Sequence, residues 1–149
     1  MKVNIGRRTK ALAVIGTLSA AATVLAGAGP AQAASSASYA ASICGSGYWS
    51  IGSHSLAGGT IYVSYDGSTD CAVLIKTVDV GTPTETWVYI ALDSSGTGGY
   101  GGNDGPRDDG NFSAYAGPVY VYAPSTCIEY AGGTVLNDDE YRSQPSFCN

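Results

Sequence analysis

The sequence predicts an all-β domain: a small antiparallel β-sandwich or partly closed barrel, held by two disulfides. Three observations predict it. Two apolar runs, 60–65 and 71–80, flank the polar stretch Asp66-Gly67-Ser68-Thr69-Asp70. Further short runs of β-branched and aromatic residues recur between Gly and Pro turns, and the mature part, 34–149, shows no convincing helix. Four cysteines, an even number, follow an export-type leader.

The central pair reads as a β-hairpin. Ile61, Val63 and Tyr65 fall on one side of the first run, and Val73, Ile75, Thr77 and Val78 enrich the second in β-branched residues. Between them, Gly67 takes positive φ without a Cβ clash, and Asp66 bonds its own backbone two residues on.

The first 33 residues read as a signal peptide. Lys2, Arg7, Arg8 and Lys10 precede an uncharged, Ala-rich run, then Gly29-Pro30 and Ala31-Gln32-Ala33. A basic head, an apolar middle and an A-x-A site define a secretory leader. Gly16, Ser19 and Gly27 interrupt the run, so a membrane anchor is disfavoured. Arg7-Arg8 raises a twin-arginine route, but Lys10 and the weakly apolar flank favour ordinary secretion. The expected organisation is a signal peptide over 1–33, a flexible lead over 34–43, and a single all-β domain over 44–149.

Removing the leader leaves Lys76, Arg107 and Arg142 against all 12 acids, a net charge of −9. That balance excludes nucleic acid and anionic membrane as partners, because both attract clustered Lys and Arg. Cys44, Cys71, Cys127 and Cys148 are expected to form two disulfides in an oxidising destination. Three connectivities exist. The sequential pairing, Cys44–Cys71 with Cys127–Cys148, is favoured, and each bridge contributes about 3–4 kcal/mol in the chain-entropy model.

Along the chain, a first strand is expected over 48–56, interrupted by Gly52. Gly81-Thr82-Pro83 ends the hairpin, since proline cannot donate to a ladder. The next strand, 86–93, carries apolar groups on both faces and so is covered on both or presents aromatics at a surface. Residues 94–110 include seven glycines among 17 positions and read as a mobile surface loop. Strands over 111–116 and 119–123 are separated by Gly117-Pro118. A short strand over 127–131 and a single helical turn near Asn137, which caps it, close the chain.

No catalytic constellation stands out. His54 is the lone histidine, flanked by Ser53 and Ser55, but sequence neighbours do not make a triad, and no G-x-S-x-G elbow is present. A structural role for His54 is favoured. Asn103-Asp104-Gly105-Pro106-Arg107-Asp108-Asp109 offers carboxylates for Ca²⁺ but lacks the EF-hand pattern, so a solvated turn is favoured. Glu85, Glu129 and Glu140 qualify as glycosidase acids only by residue type. No cofactor or metal site is expected. Among 11 tyrosines and two tryptophans, Trp49, Trp87, Tyr89, Tyr120 and Tyr122 lie in expected strands and are the candidate binding residues. The competing reading, that they fill the outer layer of a small core, carries more weight.

The stretch Cys44-Gly45-Ser46-Gly47-Tyr48, the hairpin 60–78 with Cys71, Tyr115-Ala116-Gly117-Pro118-Val119, and Cys127-Ile128-Glu129-Tyr130-Ala131-Gly132-Gly133 resemble the spore-associated protein A family of filamentous actinobacteria. Tyr130 stands where a tryptophan is expected, and the glycine-rich loop is longer than the family's. These are scaffold motifs. The resemblance implies export and association with spores, and it supplies no catalytic residue.

The leading expectation is therefore a non-enzymatic, secreted protein at the spore or cell surface, whose partner is a surface protein or polysaccharide. A secreted protease or glycosidase inhibitor and a carbohydrate-binding module are the alternatives. Lys76 is the one lysine after the leader, so lysines do not guard the sheet edges against pairing with another chain.

Overall fold

The computed structural model describes residues 30–93 and 105–148. One α-helix, α1 (Pro30–Cys44), precedes eight strands: β1 (Trp49–Ser55), β2 (Gly59–Tyr65), β3 (Thr69–Lys76), β4 (Thr84–Leu92), β5 (Arg107–Phe112), β6 (Tyr115–Tyr122), β7 (Ile128–Thr134) and β8 (Glu140–Arg142). The strands form two antiparallel sheets, in the orders β1-β2-β3-β6 and β5-β4-β7-β8. The architecture is a sandwich, with neither sheet closed on itself.

The inner faces make the core. Ile61, Val63, Ala72 and Leu74 of sheet one meet Val88, Ile90, Ile128 and Tyr130 of sheet two. The alternation of the central hairpin puts its apolar residues there. Its turn is built as the sequence implies: Gly67 sits at φ 104°, and Asp66 Oδ1 accepts hydrogen bonds from the Ser68 and Thr69 amides. Those bonds hold the Asp66 carboxyl below its usual range. Tyr130 packs inside against Tyr141 and Phe147, and burial pushes its hydroxyl up to about 12.

The sheet edges are tied together. On one side, His54 of β1 stacks on Tyr141 of β8, ring centroids 3.4 Å apart. Gly52 is where it is because Phe147 lies on it; a Cβ there would meet the phenyl ring at 2.4 Å. At the crossover from sheet one to sheet two, Lys76 is buried. Its ammonium donates to the carbonyls of Asp79, Thr82 and Phe112 and to Thr84 Oγ1, at 2.6–3.1 Å. An ammonium inside a protein is tolerated when its protons are all bonded. Lys76 is thus a clamp inside the fold.

The disulfides are Cys44–Cys71 and Cys127–Cys148, the sequential pairing. The first fastens the end of α1 to β3.

Four expectations need correction. Positions 34–43 are not a loose lead: they belong to α1, whose Ala40, Ala41 and Cys44 are buried on the outer face of sheet one, beside Cys71 and Val73. Alanine is the strongest helix former, and its small side chain lets the helix lie close to the sheet. The loop expected over 94–110 ends early, because β5 begins at Arg107; its part over 94–104 lies outside the described residues, as does the leader over 1–29. The two strands expected around Gly117-Pro118 are one, β6. Opposite them the register shifts between Ala72 and Leu74, and the Gly117 amide turns outward to Asp108 Oδ2 at 2.6 Å, so the missing proline donor costs the ladder nothing. Finally, the last turn (Leu136–Asp138) is capped at Val135, with no side-chain bond, and a short β8 follows it.

Candidate functional site: an aromatic rim

One end of sheet one carries three of the exposed aromatic side chains; a fourth, Tyr39, lies on α1. This end holds the β2–β3 turn, so it gathers the start of β1, the end of β2, the start of β3 and the end of β6. Trp49 pairs with Tyr65 across β1–β2, and Thr69 of β3 pairs with Tyr122 of β6. Trp49 is 51% exposed, Tyr120 41% and Tyr122 67%. These are high values for rings of this size, which monomeric proteins cover when they can.

The rim is held in shape by its own contacts. The Trp49 and Tyr65 rings meet edge to face, 5.6 Å apart at 82°. Tyr48 and Tyr120 are tilted at 58°, 6.0 Å apart, and the Tyr120 hydroxyl donates to the Cys44 carbonyl at 2.9 Å. Tyr120 is therefore anchored to the end of α1 next to the disulfide. Burial and the nearby Asp66 carboxylate raise the Tyr48 hydroxyl pKa, and burial with Asp70 and Asp66 raises that of Tyr65. Both stay protonated donors. Beside the rim runs a groove of about 540 Å³ between α1 and β1, lined by Ala37, Ser38, Ala41, Tyr48 and Trp49.

Of the five residues expected to bind, three lie at this end of sheet one: Trp49 on edge strand β1, and Tyr120 and Tyr122 on the opposite edge strand β6, where the register turns them to the other face from Trp49. Trp87 and Tyr89 lie elsewhere, on the outer face of sheet two, and are buried at 9% and 2% exposure. The Arg107 guanidinium covers the Trp87 ring at 4.2 Å, and Arg142 stands 5.7 Å from it. Tyr48 and Tyr65 complete the rim. Tyr65 could have been found from the sequence, because it flanks the turn that sets the register.

Other candidates are spoken for. Asp108 accepts from the Gly117 amide, and Asp109 pairs with Arg107 at 2.6 Å. Glu129 lies under the outer layer of sheet two, Glu85 and Glu140 border a separate cleft, and His54 is stacked on Tyr141. Among the described residues no three His, Cys, Asp or Glu side chains converge in a way that could hold a metal.

Fold and rim together define a class: a small disulfide-bonded β-sandwich with one stapled external helix and an aromatic end. The chain is 38% identical over 125 residues to Spore-associated protein A of Streptomyces coelicolor, covering 81% of this chain and 75% of that protein. It belongs to the spore-associated protein A family. No protein-family model matches the sequence, and no solved structure matches the chain.

Proposed function

We propose that this protein is exported, lacks catalytic activity, and resides at the spore or cell surface, which it contacts through the aromatic rim. The observation that carries the reading is its 38% identity with a protein named for association with spores. Two internal disulfides fit an oxidising destination outside the cytoplasm. The rim supplies contact area: tyrosine and tryptophan bring large surfaces at low entropic cost and dominate binding energy where they cluster.

The partner is a surface component, and a protein suits the rim better than a flat sugar chain. Trp49 with Tyr65 and Tyr48 with Tyr120 meet at 82° and 58°, so they offer no coplanar platform for stacking sugar rings. Rigid tilted rings instead suit an irregular protein surface. The test is fractionation of a sporulating culture with antibody detection. The protein is expected in the surface extract of washed spores; recovery from the culture medium alone overturns the reading.

A further inference from the structure

Sheet one ends in β1, which pairs with β2 and with no other described strand. At the β1–β2 turn the Leu56 amide donates to the Gly59 carbonyl, and the direction of bonding alternates along the strand from there. Gly52 and His54 therefore bond toward β2, and Ser53 and Ser55 turn their backbone amides and carbonyls out of the sheet. Beyond the register shift between Ser50 and Gly52, Ser50 does the same, because its partner Ser64 bonds toward β3. Among the described residues these outward groups have no partner. Tyr141 and Phe147 cover the inner face of β1 at His54 and Gly52, while Ser53 and Ser55 stay exposed.

The other three edges are defended. β5 carries Arg107, Asp108 and Asp109, and β8 is three residues long with Glu140 and Arg142. β6 is interrupted by Pro118, and its Gly117 amide is taken by Asp108. Charge, shortness and proline are devices that keep a sheet edge from pairing with another chain. β1 reads Trp49-Ser50-Ile51-Gly52-Ser53-His54-Ser55, with no acid, lysine, arginine or proline, and one register shift interrupts it. The groove of about 540 Å³ lies against this same strand, within the range of about 300–1,000 Å³ usual for ligand clefts. None of the residues lining it is charged. Next to Ser50 in the ladder, the Ser64 hydroxyl is fully buried with no hydrogen-bond partner among the described residues.

Edge and groove together specify an occupant. A row of outward amides and carbonyls is matched by another extended main chain, which supplies donors and acceptors at the same spacing. Main-chain hydrogen bonds give such a site its affinity, and a pocket for alternate side chains gives it selectivity. A charged segment finds no counter-charge in the groove. A second copy of this chain would bring together two bodies that each carry −9 after the leader, and they repel. We propose that β1 accepts an extended, uncharged peptide segment of a partner protein as a fifth strand of sheet one. Alternate side chains of that segment enter the groove between α1 and β1. The inference rests on the surface-contact reading in taking the partner to be a protein, and it adds the form of the contact.

The test uses nitrogen-15-labelled, disulfide-bonded protein and a capped peptide alternating valine and serine. On titration, the amide resonances of Ser50, Ser53 and Ser55 are expected to shift saturably and to gain protection from hydrogen exchange. The same peptide with every amide methylated keeps the side chains, loses the donors, and should bind about tenfold more weakly. Ser53→Pro removes an outward amide without touching the ladder to β2, a position where an edge strand tolerates proline. It should keep the other resonances in place and lose about tenfold in affinity. Tyr122→Ser, on the opposite edge strand, should bind as the parent does. Unmoved β1 amides at about 1 mM peptide, equal binding of the methylated peptide, or full affinity in Ser53→Pro would each overturn the proposal. So would protection of those amides without peptide in a protein that sediments as a dimer, which assigns the edge to a second copy. A peptide that fails while washed spores still hold the protein overturns strand addition alone and leaves the surface-contact reading standing.

Discussion

Tyr65 and Asp70 stand opposite each other across the β2–β3 ladder, and the Asp70 carboxyl is fully buried there. Among the described residues neither of its oxygens has a hydrogen-bond partner. Val121 closes the other side of the pair. Asp66, a charge of the same sign, acts on it. Burial first, and Asp66 second, push the Asp70 carboxyl up to about 6.

Stability should therefore depend on pH in an unusual direction. The folded state holds the Asp70 proton more tightly than the unfolded chain, whose carboxyl has the ordinary value of 3.8. The contribution is fully present below that ordinary value and is lost as pH rises through about 6. The loss is at most about 3 kcal/mol. Urea unfolding at pH 4 and pH 7 checks this. Asp70→Asn should remove most of the slope and raise stability at pH 7; a variant less stable than the parent at pH 7 contradicts it.

Lys76 makes a complementary prediction. Lys76→Met keeps the stem but leaves the carbonyls of Asp79, Thr82 and Phe112 without their donor. Unpaired buried acceptors are costly, so the expected loss is about 2–4 kcal/mol. Calorimetric melting measures it. A change below about 0.5 kcal/mol would show that water replaces the ammonium at no cost.

The bridge Cys44–Cys71 closes 27 residues and carries α1. Replacing both cysteines by serine should cost about 3 kcal/mol. It should also free α1, because the buried face of the helix is made of Ala40 and Ala41, which bury little area. Limited proteolysis should then cut within α1 before the sandwich, where the parent resists. Uniform digestion of both forms would contradict this.

These cases show what in the fold was legible in the sequence. The hairpin was, because its information is local: Asp66 and Gly67 fix the turn, and alternation fixes the face. Trp49, Tyr120 and Tyr122 were legible as strand aromatics, though only the register shows that they share one end. Helix α1 was not, since its inward stripe is alanine and carries almost no hydrophobic contrast with its outward serines. Strand β5 was hidden for a similar reason. Its run Arg107-Asp108-Asp109-Gly110-Asn111-Phe112 has no apolar alternation, and what holds it is backbone pairing to β4 and the guanidinium over Trp87. Trp87 and Tyr89 lie on the face pointing away from the core, yet they are buried. Alternation gives the face and says nothing of what covers it.

His54 and Tyr141 allow a direct check of how the sheet edges close. Their planes lie within 10° of each other. A double-mutant cycle with His54→Ala and Tyr141→Ala should return a coupling of about 0.5–1.5 kcal/mol. A coupling near zero would mean that the edges close without the stack.

The aromatic rim is the centre of the functional account, and spore retention tests it most directly. Trp49→Ser with Tyr122→Ser alters two exposed rings and should leave the fold intact. Parent and variant are produced at equal levels in a sporulating host lacking its own copy, and the washed spores and medium are compared by quantitative immunoblot. The account predicts that the parent stays with the spores while the folded variant moves to the medium. Equal retention of the two would contradict it.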